Sequence, residues 1–328
     1  MHNELSKGDV ESIRKDIDAI KKEVSKVIVG QDKVTDSFIK GILCDGNIMV
    51  EGVPGIAKTL LIRSLAAVTS CKFNRIQFTA DLLPTDITGI VAYEPKKGFY
   101  TVKGPVFSNF ILADEINRAP GKTQGALLEA MQERQVTIGR ETFPLQRPFF
   151  VLATLNPIET FGTYPLPEAQ VDRFLFKIFM DYPTKKEEGD ILKQNVDIKD
   201  FNDYKLRPVV SSQEIIKMQE MVKKVYLDKD IEKYIVDLVN ATRHSSEYKI
   251  RIGKYIKYGS SPRASIGLFI ASKANALMKG KTFVTPQDVK DVAYEIFRHR
   301  LILNYEGQAE GIKPEDFITE LLLKVPTP

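Results

Sequence analysis

Gly52-Val53-Pro54-Gly55-Ile56-Ala57-Lys58-Thr59-Leu60 is the stretch on which the fold turns. The apolar run Asn47–Glu51 precedes it, and a helical pattern at Lys58–Val68 follows. A strand, a glycine-containing loop and a helix in that order make a phosphate-binding loop. Backbone N–H groups of the loop and the start of the helix then point at one anion. Lys58 is expected to meet the β- and γ-phosphates of a nucleoside triphosphate, and Thr59 to hold Mg²⁺. The whole of Gly52–Leu60 is the candidate nucleotide-binding segment. Ala57 stands where the pattern G-x-x-x-x-G-K-[ST] has its second glycine. At the start of a helix φ is expected to be negative, so the methyl group need not strain the backbone.

Four more apolar runs lie outward from this loop, at Phe73–Thr79, Phe110–Ala113, Phe149–Leu155 and Phe174–Met180. Continuous apolar runs of this length suit strands buried on both faces of a parallel sheet. Helical patterns at Lys58–Val68 and Thr123–Arg134 alternate with them, which predicts an α/β domain of the doubly wound kind. Residues 9–27 read as a further helix, with Val10, Ile13, Ile17, Ile20, Val24 and Val27 at helical spacing. Beyond Tyr182-Pro183 the character changes to helical periodicities near 185–195, 212–226, 230–245, 263–279 and 286–300, with a last one at Pro314–Val325. The expected division is therefore 1–183, an α/β domain, and 184–328, an all-helical one. Two stretches exceed a minimal sheet. Asp81–Pro105 is rich in turn residues, and Gln135–Pro148 reads as a hairpin around Gly139. Lys96, Lys97, Phe99 and Tyr100 cluster beside Gly98 at a presumptive hairpin tip in the first. Contact with another protein and packing on a second copy of the chain both account for them.

The run ending in Asp114-Glu115 brings two carboxylates to the C-terminal end of a strand, where open α/β sheets bind ligands. Asp114 is the candidate metal partner, and Glu115 the candidate base for an attacking water. Asn156 ends another of these strands and can reach the γ-phosphate or the water, although Asn-Pro by itself is only a turn signal. Arg173 ends a short helix before the last strand, and a surface ion pair is the usual role of such a residue. Arg263 stands at a helix N-terminus, where its charge opposes the dipole, so it calls for an anionic partner such as a phosphate.

Composition is that of an ordinary globular protein: 43% hydrophobic and 27% charged over 328 residues, net charge +4. That charge is too mild to mark a nucleic-acid surface. Cys44 and Cys71 form no CxxC pair, and His2, His244 and His299 are scattered, so a disulfide framework or histidine metal site is not expected. The N-terminus lacks an apolar secretion segment, and no uninterrupted apolar stretch reaches membrane-spanning length. Cytoplasmic residence is the expectation.

Taken as a set, 52–59 with Asp-Glu-Ile-Asn-Arg-Ala-Pro (114–120), Leu-Leu-Glu-Ala-Met-Gln-Glu (127–133), Thr-Leu-Asn-Pro (154–157), Pro-Leu-Pro-Glu-Ala-Gln-Val-Asp-Arg-Phe (165–174) and Gly-Ser-Ser-Pro-Arg-Ala (259–264) resembles the AAA+ ATPases, and within them the MoxR family. The likeness runs over about residues 20–305 and includes Ala57. It implies hydrolysis of ATP to ADP and phosphate, with Asn156 as sensor 1, Arg263 as sensor 2 and Arg173 as arginine finger. It implies that 81–105 is the helix-2 insert, 135–148 the pre-sensor-1 insert and the helical part a lid. It further implies a ring, usually a hexamer, acting like a chaperone on a client protein, often with a von Willebrand factor A-domain partner. A magnesium-chelatase ATPase subunit shares these inserts. A P-loop kinase of small molecules or nucleic acids shares the loop, but Glu115 and Asn156 argue against it. A nucleotide-switched binding module without turnover is disfavoured because every hydrolytic residue is kept.

Overall fold

A computed structural model of the chain describes residues 5–53, 55–156, 162–194 and 200–328. The chain divides into two compact units that interleave along the sequence: Met1–Lys15, Glu168–Lys177 and Met218–Pro328 form one, and Asp16–Pro167 with Ile178–Lys217 the other. Each is taken by itself.

The unit built on Asp16–Pro167 and Ile178–Lys217 holds four of the five apolar runs whole, and Ile178–Met180 of the last, as strands of one sheet. Strands β1 (Ile48–Gly52), β2 (Phe73–Gln77), β3 (Gly89–Glu94), β4 (Gly98–Lys103), β5 (Phe110–Asp114), β6 (Gln135–Ile138), β7 (Glu141–Pro144), β8 (Phe150–Leu155) and β9 (Phe176–Met180) follow in chain order. The sheet order is β2-β5-β8-β1-β9, and β2–β5, β5–β8 and β1–β8 pair in parallel. Ile111, Leu112, Ala113, Val151, Leu152 and Ala153 are completely buried, as strands covered on both faces require. Phe110 and Phe150 are register partners whose rings lie 5.5 Å apart. Truncating either to Ala removes roughly 3–5 kcal/mol, the usual range for a buried Phe. Parallel pairing aligns the C-terminal ends: Gln77 stands beside Asp114, Ala113 beside Ala153, and Val50 beside Thr154. Whatever follows β1, β5 and β8 therefore meets at one edge.

The helices, in chain order, are α1 (Lys7–Val24), α2 (Asp32–Leu43), α3 (Lys58–Val68), α4 (Pro84–Thr88), α5 (Gly121–Glu133), α6 (Glu168–Val171), α7 (Lys185–Gln194), α8 (Ser212–Lys224), α9 (Lys229–Arg243), α10 (Pro262–Met278), α11 (Pro286–Phe297), α12 (Tyr305–Ala309) and α13 (Pro314–Lys324). The inserts are two antiparallel hairpins, β3–β4 and β6–β7, each turning tightly, at 95–97 and at Gly139-Arg140. In the first, Tyr93 packs on Phe99 with ring centroids 5.0 Å apart, and Phe99 is 78% exposed.

The helical unit is built from α9, α10, α11 and α13. Three of its helices start with Pro at the first turn, Pro262, Pro286 and Pro314, where a missing N–H costs nothing. The small residues Ala264, Gly267, Ala271 and Ala274 on α10 are buried, and at Gly267 the side chains of Leu175 and Ile296 take the space. One addition to the all-helical expectation is a two-stranded antiparallel sheet, β10 (Ile256–Tyr258) with β11 (Ile302–Leu303). Among the described residues no helix is long and apolar enough to cross a membrane.

Candidate active site

The loop after β1 is shaped by its glycines. A Cβ on Gly52 would fall 2.5 Å from the carbonyl oxygen of Met180, so only glycine lets the strand end pass there. Gly55 has φ +84° with open space around it, a conformational requirement rather than a steric one. Val53 is half-buried and Ile56 buried; Pro54 lies outside the described residues. Ala57 corrects the expectation from sequence. Its φ is +64° and its ψ 23°, in the left-handed region that disfavours a side chain. The loop completes its turn at Ala57, one residue before helical geometry begins. No side chain caps α3 and no acidic residue occupies its first turn, where Lys58, Thr59 and Leu60 sit. The N–H groups there are thus left to an anion. Lys58 Nζ donates to the Gly52 carbonyl at 2.6 Å, spanning the loop. Burial pulls its ammonium below the ordinary value, and Asp114 and Glu115 pull it back.

The two carboxylates following β5 are held differently. Asp114 accepts from Thr154 Oγ1 at 2.6 Å through Oδ1, and from Arg75 Nε and Nη2 at 3.0 and 2.6 Å through Oδ2. Glu115 turns out of the strand with φ +55°. Its N–H donates to Thr154 Oγ1 at 2.8 Å, and its Oε2 accepts from Gln77 Nε2 at 2.8 Å and Arg118 Nη1 at 3.0 Å. Arg75 also donates to Gln77. Thr154 therefore bridges both acidic residues from the neighbouring strand. Asn156 is buried one residue past the end of β8, which lies between β5 and β1. Register thus brings the Lys58 loop, Asp114, Glu115 and Asn156 to one sheet edge. Pro157 falls outside the described residues.

Arg173 and Arg263 lie in the helical unit. Arg173 follows α6; it is half-buried, and its Nε has no partner among the described residues. Arg263 does have an anionic partner, but it is Asp172: Nη1 donates to Asp172 Oδ2 at 3.2 Å. Ser261, which caps α10 through the N–H of Arg263, donates to both Asp172 oxygens at 2.8 and 3.1 Å. A carboxylate thus fills the place that the sequence reading gave to a phosphate. Arg75, Gln77, Arg118, Thr154, Asp172 and Arg300 were not singled out in the sequence. Thr154, Arg118 and Asp172 stand inside its quoted motifs, and Arg75 and Gln77 interrupt an apolar run on one face.

The donor set suits a magnesium nucleotide. Mg²⁺ takes one or two carboxylates plus phosphate oxygens and waters rather than an all-protein cage. The Thr59 hydroxyl and the Asp114 carboxylate supply hard oxygens of that kind. Among the described residues no group of three or more His, Cys, Asp or Glu could hold a metal alone.

The chain is similar to known proteins over nearly its whole length. Residues 47–176 match the profile of the "ATPase family associated with various cellular activities (AAA)", and residues 249–321 that of the "AAA lid domain". Chaperone MoxR1 of Mycobacterium tuberculosis is 42% identical over 331 residues, covering 99% of this chain and 87% of that protein. Protein MoxR of Methylorubrum extorquens is 29% identical over 94% of each. The crystal structure of a candidate ATPase from Cytophaga hutchinsonii superposes with a TM-score of 0.92 at 48% identity, over 97% of both chains. From these matches, together with the loop, the paired carboxylates and the lid, the chain belongs to the MoxR family of AAA+ ATPases.

Proposed function

We propose that this protein hydrolyses Mg-ATP at the carboxyl edge of the sheet and uses the cycle, in a chaperone-like way, to remodel or activate a client protein. One observation carries the reading: the Lys58 loop, Asp114, Glu115 and Asn156 converge on one edge. Lys58 and the backbone N–H groups of Gly52–Leu60, of which Pro54 has none, take the β- and γ-phosphates. Thr59 and Asp114 hold Mg²⁺, which when bound neutralises charge on the phosphates. Glu115 deprotonates the attacking water, and Asn156 orients it against the γ-phosphate. Arg263, released from Asp172, reports on the nucleotide. Arg173 acts on the nucleotide of a neighbouring subunit in a ring, which we take to be a hexamer. We keep motor and lid as the two functional parts, 1–183 and 184–328 by sequence, with Glu168–Lys177 grouped with the helical unit and Ile178–Lys217 with the sheet-bearing one, and cytoplasmic residence. The MoxR relatives support a client protein as partner, and the family resemblance a von Willebrand factor A-domain protein. The β3–β4 ribbon, with Tyr93 and Phe99 largely exposed, is the surface assigned to the client.

The test separates binding from chemistry. Glu115→Gln keeps the shape of the side chain and removes the base. It is expected to bind Mg-ATP with wild-type affinity by calorimetry and to release phosphate ~10²–10⁴-fold more slowly, the usual loss of a general base. Wild-type turnover in this variant removes Glu115 from the chemistry.

A further inference from the structure

Arg300 spends every N–H it has on one turn of chain and the helix end beside it. Nε donates to Asp172 Oδ1 at 2.9 Å, Nη2 to the carbonyls of Asp172 and Phe174 at 3.1 and 2.6 Å, and Nη1 to the carbonyls of Leu175 and Ile296 at 3.1 and 2.6 Å. A guanidinium has five N–H donors, and all five are used. Its neighbours grip the same segment: His299 Nε2 lies 3.0 Å from the Phe174 carbonyl oxygen, and Arg298 Nη1 donates to Lys177 O at 3.2 Å. Only 6% of Arg300 is exposed, and burial, offset by Asp172, brings its pKa down to about 10, so it stays charged at neutral pH. The residue between these pinned carbonyls is Arg173. Its backbone is fixed on both sides, while its Nε finds no partner among the described residues. That Nε is also buried, so the guanidinium stem sits on a rigid mount with hydrogen-bonding capacity unspent. The grouping of the chain agrees. Glu168–Lys177 clusters with the helical unit, whereas the residues on either side of it in the chain belong to the other unit.

We propose that Arg300 is the positioning residue of Arg173: with Asp172 as its counter-ion, it mounts the arginine-finger turn on the end of α11, so that the finger is carried by the helical unit. The inference rests on the reading that Arg173 acts on a neighbour's nucleotide. It gives Asp172 a second role. The same carboxylate takes Arg300 and Arg263, so a phosphate that draws Arg263 away from Asp172 acts one residue from Arg173. The nucleotide state of one subunit is thereby linked to the finger it offers to the next.

The experiment is a double-mutant cycle on the full-length protein. Arg300→Lys keeps the charge and loses the planar fork that reaches four carbonyls and a carboxylate at once. It is expected to bind ATP with unchanged Kd and to lose kcat on the order of 10²-fold, the cost of misplacing a catalytic group by about 1 Å. In an Arg173→Ala background the same substitution is expected to change kcat no further, because Arg300 acts only through Arg173. If soluble, folded Arg300→Lys has wild-type kcat, the inference falls. An equal fold-loss in both backgrounds also overturns it, since a purely structural residue acts whether or not Arg173 is present. Should Arg300→Lys fail to fold, Asp172→Asn goes through the same cycle in an Arg263→Ala background, so that the loss of Arg263's partner is not counted; a kcat loss that vanishes once Arg173 is also Ala is expected, and an equal fold-loss with and without Arg173 overturns the inference. Wild-type kcat in Arg173→Ala itself sinks the finger reading instead, and that result is visible before Arg300 is touched.

Discussion

At Ala57 the chain places a methyl group on backbone that favours glycine, with φ +64°. A left-handed residue costs about 1–2 kcal/mol relative to the right-handed helix, and the added freedom of glycine in the unfolded chain returns about 0.4–1 kcal/mol of that. Ala57→Gly is therefore expected to raise stability by about 0–1.6 kcal/mol in urea denaturation. A loss of that size would show that the loop is not strained at this residue. Glu115 shares the feature, with φ +55°, and this backbone turns it away from the strand that delivers Asp114. Strain of this kind gathers at working sites. The residue types of the site were legible, because Lys, Thr, Asp, Glu and Asn at fixed offsets from strand ends have few other uses. Backbone conformation at Ala57 was not, since the sequence marks where a helix begins only to within a residue or so. Nor was Arg300, whose partner Asp172 is 128 residues away and which reads as one more cation in a charged tail.

Strands β1, β5 and β8 were the easiest elements to find, because a strand buried on both faces reads as an unbroken apolar run. The order of the sheet, β2-β5-β8-β1-β9, could not be read, since pairing depends on partners far apart in the chain. Helix α2 escaped as a separate element for a local reason. It starts after Gln31 in the left-handed conformation, with no side-chain cap to announce it. By contrast Thr285-Pro286-Gln287-Asp288 announces α11 with a capping box, and here the cap extends into a network. Completely buried Asp288 accepts from the Thr285 N–H at 3.0 Å, Thr285 Oγ1 at 2.6 Å, Lys281 at 3.0 Å, Lys279 at 3.1 Å and Asn275 at 3.3 Å. Burial alone would raise its pKa, but the bonds from Thr285, Lys281 and Lys279 outweigh burial and hold it below the ordinary value. Its stabilisation is therefore full above the unfolded-state value of about 3.9 and is lost as pH falls through the depressed folded value. Asp288→Asn is expected to cost about 1–3 kcal/mol at pH 7, the range for a broken buried hydrogen-bonding group. The gap to wild type should narrow in acid, where the native carboxyl is itself protonated. A gap independent of pH between 7 and 3 would mean that the charge of Asp288 contributes nothing.

At the scale of the whole assembly, the proposal that each catalytic centre is shared between subunits makes the sharpest claim. Arg173 is carried by a segment that clusters with the helical unit, while Lys58, Asp114, Glu115 and Asn156 belong to the other. A head-to-tail ring lets such a residue face the neighbour's nucleotide, because in a heterologous interface one surface of each subunit meets a different surface of the next. There it would stabilise charge on the transferred phosphoryl group, a contribution of ~10³–10⁵ in rate where fingers have been measured. Arg173→Ala alone is expected to bind ATP and hydrolyse almost none, as is expected of Glu115→Gln. The two dead proteins carry different lesions, however. An interface that takes Glu115 from an Arg173→Ala subunit and Arg173 from a Glu115→Gln subunit has every catalytic residue intact. Equal mixing with free subunit exchange makes about a quarter of all interfaces of this kind. ATPase activity should reappear on mixing, in proportion to exchange as followed by a fluorescent label on one partner. Activity that stays at zero while subunits exchange leaves two explanations: Arg173 works within its own subunit, or one dead site silences the whole ring. Doping Glu115→Gln into wild-type rings distinguishes them. A steep, more than linear fall marks a silenced ring and keeps the shared site. A fall strictly linear in the dose means independent centres, and with no recovery on mixing it places Arg173 in the same subunit as the nucleotide it serves.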